Sequence, residues 1–447
     1  MISAWRTGRG TAAHVAGLAR VAWGALGLLV LGCGAAEPER ETGPDMGREP
    51  WAVVAPDPLL DPSEPIDAEA SGNPRDCVES FDPEVDYFPD RVRVEHARQF
   101  SVEYHRHYKV VTIREPWQGA DAGLRYLLVQ CGTPRPEGFE GVESFEIPVR
   151  SVITTSTTEV PHLVRLGLVD QLIGHHEFDY IQSPPVRQRI DAGVMVEIGS
   201  GSTINLELVA ASQPGLLLAD SLGEGATGLL SKLSELGVPT ALVPSFLETT
   251  ALGRAEWIKF TALFFNRERV AEQGFAEVAG TYAELAARVA ESVADQARPT
   301  VFTSAPLGDI WYMPGGQSFI ARMLHDAGAR FLWAEDTATG SLALPLESVY
   351  ERVLDADFWV QPGTVASLDE IAAFDERFAA TRAFREGRVF NSDARRNAHG
   401  ASDYWEAGTA RPDLVLADLI EIFHPDLLDH ELVFHRRLPG VASQPQS

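Results

Sequence analysis

The rhythm of apolar and polar positions changes three times along this chain. Between 100 and 131 the period is two: Phe100-Val102-Tyr104, then Tyr108-Val110-Thr112, then Arg125 to Val129, which predicts a three-strand β-meander. From 151 short apolar runs alternate with helical spacing. Ser151 to Thr155 predicts a buried strand, Val160, Leu163, Val164 and Leu166 a helix stopped by Gly167, and Leu172-Ile173-Gly174 the next strand. This βαβ crossover puts His175 and His176 at the carboxyl end of its second strand, where open α/β sheets place ligands. A helix over 229–236 and a strand over 240–243 close the lobe. Residues 267–297 then carry Val270, Phe275, Val278, Tyr282, Leu285, Val289 and Val293 at helical spacing, predicting one helix about 45 Å long. A second α/β lobe starts at Thr300-Val301-Phe302, runs through Val389-Phe390 and ends in a helix over 412–422 and a tail through Leu432-Val433-Phe434.

One phrase occurs in both lobes. Thr203-Ile204-Asn205-Leu206-Glu207 runs into Gln213-Pro214-Gly215-Leu216-Leu217-Leu218, and Leu344-Pro345-Leu346-Glu347 leads through Val349 and Val353 into Asp355-Ala356-Asp357-Phe358-Trp359-Val360. Each copy reads as helix start, amphipathic helix, tight turn and buried parallel strand. The fold class expected is therefore α/β: two lobes with parallel sheets joined by a single long helix, a ligand cleft between them, and an N-terminal β-meander.

The N-terminus adds a location. Arg6, Arg9 and Arg20 precede an apolar segment, Val21 to Leu31, too short to span a bilayer as a helix, and it ends Val30-Leu31-Gly32-Cys33. That is a lipobox, predicting a signal peptide over 1–32 and acyl chains on Cys33 that hold an extracytoplasmic body to a bacterial membrane. Gly34 is not an inner-membrane retention aspartate, so inner and outer membranes both stay open. Cys77 and Cys131 are then an even remainder in an oxidising compartment, expected to pair. The formal charge is −27, and residues 34–90 hold sixteen acids against three arginines, with ten prolines. This composition predicts an extended tether over 33–95, followed by the β extension (96–148), first lobe (149–254), bridging helix region (255–297) and second lobe with tail (298–447). No basic stripe exists to neutralise a phosphate backbone, which argues against nucleic acid.

At this point residues 149–430 resemble the periplasmic substrate-binding proteins of ABC importers, in the branch that binds ferric siderophores and cobalamin. The resemblance rests on the opening strand, Thr157-Thr158-Glu159 and the helix after it, Leu168 to Gly174, Asn205-Leu206-Glu207 with Gln213-Pro214, the single long helix and the second glutamate phrase. It implies a monomeric carrier without turnover and without a resident cofactor or metal, whose lobe-surface glutamates dock onto arginines of a membrane permease. By motif position these are Glu207 and Glu347. Cobalamin binders of this type carry a tryptophan before each docking glutamate. Here those stretches are Gly199-Ser200-Gly201-Ser202 and Thr339-Gly340-Ser341, which favours a ferric siderophore-type chelate.

Candidate ligand contacts are His176 and Tyr180 after the first-lobe strand, Trp311 and Tyr312 in Trp311-Tyr312-Met313-Pro314-Gly315-Gly316, and Arg395, Arg396, Tyr404 and Trp405. Aromatic residues before a Pro-Gly-Gly loop are poor core material, arginine matches anionic oxygens, and aromatic faces accept flat rings. His176 stays open between a cleft contact, a metal ligand and a polar loop residue. Other occupants of the same fold are haem, with His176 or Tyr180 and Met313 or Tyr312 as axial ligands, cobalamin, or a bare metal ion. From a different class, Gly223-Glu224-Gly225-Ala226-Thr227-Gly228 spells a dinucleotide fingerprint, so an exported NAD-dependent oxidoreductase is the distant alternative. Ala241-Leu242-Val243-Pro244-Ser245 lacks the acid such a site needs after its next strand.

Overall fold

Alternating side chains make the first sheet two-faced. In a computed structural model, which describes residues 65–66 and 72–440 apart from 202, 221–225 and 295–296, β1 (Phe100–Tyr104), β2 (Tyr108–Ile113) and β3 (Leu124–Gln130) form the antiparallel meander. A fourth strand, β4 (Glu143–Ile147), adds parallel to β3 and was hidden from the sequence by its three polar residues. One face packs Val111, Ile113, Tyr126 and Leu128 onto the first lobe, while the other gathers Val110, Leu127 and Val129 under Tyr108 and Phe139. The signal segment, Cys33 and Gly223 to Gly225 lie outside the described residues.

The tether expectation fails for residues 72–95. Phe88 is fully buried, Val92 nearly so, and Cys77 is bonded to Cys131. Composition averages over this segment, and its few apolar side chains suffice to fasten it. Lys109 and Glu268 form a buried ion pair beneath it, which Asn73 joins through Glu268 Oε2 at 2.9 Å. Glu256 accepts the backbone N–H groups of Glu95, His96 and Ala97, and Glu248 those of Arg98 and Gln99, at 2.6–3.0 Å. Two buried carboxylates thus satisfy a turn of chain that has no ladder of its own.

In the first lobe β5 (Val152–Thr154), β6 (Leu172–His175), β7 (Val196–Glu197), β10 (Leu216–Ala219) and β11 (Thr240–Leu242) pair in parallel in the order β11-β10-β5-β6-β7; a small ribbon of β8 (Gly199–Ser200) and β9 (Thr203–Ile204) stands after β7. The second lobe orders β12 (Thr300–Thr303), β15 (Arg330–Phe331), β17 (Phe358–Val360), β18 (Val389–Asn391) and an antiparallel β19 (Arg436–Arg437) as β15-β12-β17-β18-β19. Its own ribbon is β13 (Pro306–Leu307), β14 (Ile310–Pro314) and β16 (Ser341–Pro345). Each sheet reverses strand order once, between β5 and β10 and between β12 and β17, and such a reversal opens a crevice at the carboxyl ends of the strands.

The connector is the helix Glu268–Ser292, about 38 Å long at 1.5 Å per residue and shorter at its end than the sequence spacing predicts. Val270, Ala271 and Phe275 belong to the first-lobe core, whereas Tyr282 and Val289 belong to the second. One continuous helix is therefore shared by two hydrophobic cores.

Candidate functional site

The carboxyl ends of the two sheets meet across a cavity of about 490 Å³. Thr155 and Thr157 follow β5, and His175, His176, Glu177 and Tyr180 end or follow β6; Gln361, Gly363 and Thr364 follow β17, and Asn391, Ser392 and Asp393 end or follow β18. The loop carrying Arg396, Ser402 and Trp405 completes the wall.

His175 is buried, its Nδ1 lies 2.7 Å from Thr154 Oγ1, and burial drives its pKa down to about 3. His176 Nε2 lies 3.2 Å from the Thr203 carbonyl, which can only accept, so that nitrogen carries the proton in this bond. Glu177 accepts from the Gly201 N–H at 2.9 Å. On the facing side Asp393 is gripped by Arg436 through 2.8 Å contacts at both oxygens and by Arg396 at 3.2 Å, and Arg396 also reaches the Gly400 carbonyl. One carboxylate thus faces two guanidiniums, which leaves a formal excess of one positive charge at this edge of the cavity.

A seam of hydrogen bonds closes one flank of the cleft. Glu406 accepts from the backbone of Gln182 at 2.7 Å and Ser183 at 2.8 Å, and Asn397 donates to the carbonyls of Asp179 (2.7 Å) and Ile181 (3.2 Å). Gln182 donates to the Ala401 carbonyl, Thr157 to that of Trp405, and His399 pairs with Asp179 at 3.2 Å. Burial outweighs the two N–H donors at Glu406, with Asp403 adding to it, and lifts its pKa to about 8.

Of the residues expected to touch ligand, His176, Tyr180, Arg396 and Trp405 line this cavity, with Tyr180 and Trp405 each about half exposed. Four others do not. Trp311 is fully buried with its Nε1 donating to the Thr303 carbonyl at 3.0 Å. The Trp311-to-Gly316 stretch begins as a strand rather than a loop, so period-two alternation sends Trp311 and Met313 into the core and Tyr312 outward. Tyr404 is buried beneath the wall. Arg395 faces a separate interlobe cavity of about 330 Å³ and pairs with Asp403 at 2.9 Å. Sequence reasoning missed Thr155, Thr157, Gln361, Asn391 and Ser402: Thr155, Thr157 and Gln361 follow strands at the two order reversals, Asn391 ends the next strand, β18, and Ser402 lies in the wall loop. Among the described residues no group of three His, Cys, Asp or Glu could hold a metal ion.

Glu207 and Glu347 are exposed in the first turns of the helices Leu206–Ala211 and Leu346–Val353, each directly after its lobe's ribbon. The Glu347 side chain is 72 % exposed, with Arg377 4.0 Å away.

The periplasmic binding protein family model matches residues 152–395. An uncharacterised lipoprotein of Methanocaldococcus jannaschii is 24 % identical over 319 residues, covering 68 % of this chain and 73 % of its own length; a second from that organism is 25 % identical over 328 residues, covering 71 % and 80 %. A periplasmic haem-binding protein from Pseudomonas aeruginosa superimposes with a TM-score of 0.51 at 19 % identity, over 66 % of this chain and all of that one, which shows a shared fold. With two α/β lobes on one shared helix and a cleft between their switch points, the chain belongs to the periplasmic binding protein family, the substrate-binding components of ABC transporters, and is a carrier and not an enzyme.

Proposed function

We propose that this protein captures a ferric siderophore-type chelate in the interlobe cleft, outside the cytoplasm and anchored through acylated Cys33, and hands it to the permease of an ABC importer. The observation that carries the reading is the lining of the 490 Å³ cavity: aromatic Tyr180 and Trp405 at its wall, and neutral Thr155, Thr157, Gln361, Asn391, Ser392 and Ser402 around it. Hydroxyls and amides are weak ligands for a bare transition-metal ion, but they suit the oxygen-rich periphery of an ion that brings its own ligands. The lipoprotein relatives support the anchor.

Haem is the second reading, favoured by the half-exposed Tyr180 in the cleft and by the haem-binding protein of like fold. The second lobe gives it less, since Met313 is buried and Tyr312 stands outside the cavity. Titration of the Trp405-containing cleft by fluorescence with ferric catecholate and hydroxamate complexes tests the proposal, with saturable quenching expected. A Soret band in protein purified from its source, with no response to ferric chelates, would replace it by the haem reading.

A further inference from the structure

Three large apolar side chains stand bare together on the second lobe. Leu307 is 69 % exposed, Tyr312 46 % and Ile310 41 %. Strand pairing puts them on one face: Leu307 lies opposite Ile310, Ile310 opposite Pro345 and Tyr312 opposite Ala343, and both Pro345 and Ala343 are exposed. The alternate residues Trp311 and Met313 are fully buried, so the ribbon is riveted to the core and its outer face is fixed. Acids rim this face. Asp309 sits in the turn, Glu347 follows Pro345 by two residues, and Glu351 is one helical turn further on; all three are exposed. The Asp309 carbonyl accepts the Leu346 N–H at 3.0 Å, tying the ribbon to the head of the Glu347 helix. The ribbon also leaves from the carboxyl end of β12, the end of the sheet that carries the cleft.

We propose that this face, with Glu347 at its edge, is the second lobe's contact surface for the importer's permease, a membrane-protein surface with an apolar centre and a basic rim. The inference rests on the importer reading and extends it. Charge complementarity selects the partner: the rim is acidic on a chain of net charge −27, so it repels a second copy of itself and attracts arginine and lysine. An exposed ion pair holds little by itself, whereas apolar side chains at the centre of an acidic rim have the anatomy of a specific interface. Ligand is an unsuitable occupant, because Leu307, Ile310 and Tyr312 all lie outside the cavity lining. Among the described residues the first lobe's ribbon offers no equivalent. Its ribbon presents Gly199, Ser200, Thr203 and Ile204 before Glu207, so the two contacts are unequal, charge alone on one lobe and charge plus apolar area on the other.

The test places a photo-cross-linking residue at Tyr312, and separately at Ser348 beside Glu347, in the full lipid-anchored chain in its own cells. The expected adduct at both positions is the membrane-spanning subunit of an ABC transporter, mapped by mass spectrometry to its extracytoplasmic loops. The double change Leu307→Ser with Ile310→Ser should lower the yield at Ser348 roughly tenfold, the scale of losing two central contacts, with melting temperature and chelate titration unchanged. Adducts from position 348 but not 312, or an unchanged yield in the double variant, overturn the apolar surface and leave the docking glutamate standing. An adduct of position 312 with a second copy of this chain makes the face a self-association surface and overturns the inference. No permease adduct from either position removes the importer docking itself.

Discussion

At Glu406, burial and hydrogen bonding pull one carboxyl in opposite directions. Burial raises its pKa from 4.5 to about 8, against two backbone N–H donors and nearby Arg395 that favour the anion. Between those two values the folded protein keeps a proton that the unfolded chain has released, so this group makes stability fall as pH rises through the window and stop falling above it. Each pH step of one across that window costs roughly 1.4 kcal/mol. Melting temperature measured from pH 5 to 8.5 should therefore decline more steeply in the parent than in Glu406→Gln; equal slopes would show that the carboxyl does not titrate there. Trp311 illustrates the other common fate of an interesting side chain. Fully enclosed, with its ring tilted against Phe302 and Trp359 and edge-on to Phe378, it should cost about 3–5 kcal/mol on replacement by alanine. Trp311→Phe should keep most stability and leave chelate affinity unchanged, and a loss of affinity in a folded Trp311→Phe protein would restore it to the ligand wall.

Among the elements, the N-terminal sheet depends most on cross-links. The bond between Cys77 and Cys131 closes a loop of sequence separation 54, for which the chain-entropy treatment gives about 4 kcal/mol. Denaturant midpoints should drop on reduction, and thiol counting on denatured, unreduced protein lacking the anchor should find none; two titratable thiols would refute the pairing. The elements were legible wherever periodicity was long. The shared helix and the runs at Val152 and Leu216 announced themselves through spacing and unbroken apolarity. The ribbon did not. Residues 310–314 pair with 341–345 about thirty positions away, and Pro314-Gly315-Gly316 reads locally as a loop, so nothing near Trp311 reveals the partner strand that turns it inward. Residues 72–95 were obscured by acidic and proline content, although Asn73, Cys77 and Phe88 each fasten the chain there. The cavity was the least legible part: Thr155, Gln361 and Asn391 are common polar residues, and only the folded order of strands brings them together.

For the molecule as a whole, docking and binding should be separable. Glu207 and Glu347 sit on the surface of different lobes and away from the cavity lining, so replacing both by alanine should leave chelate affinity intact and cost within about 1 kcal/mol each. Uptake in cells should collapse, because steered charge pairs govern association and weaken with salt. A normal uptake rate, or a large fall in affinity, would return both acids to ordinary helix-start residues. The shared helix adds a mechanical expectation: since its two halves are packed in different cores, the lobes can swing only by bending it, and closure should be small.

The seam between the lobes has an evolutionary consequence. Apart from the His399–Asp179 pair, each of its hydrogen bonds has main chain on one side: Glu406 holds the amides of 182 and 183, Asn397 the carbonyls of 179 and 181, and Gln182 and Thr157 the carbonyls of 401 and 405. A main-chain group persists whatever residue is encoded there, proline at an amide excepted. Partners across such a joint have no need to change together. Related chains should therefore keep Gln182, Asn397 and Glu406 while residues 181 and 183 drift, and covariation, the usual statistical trace of contact, should pass over much of this joint between the two halves.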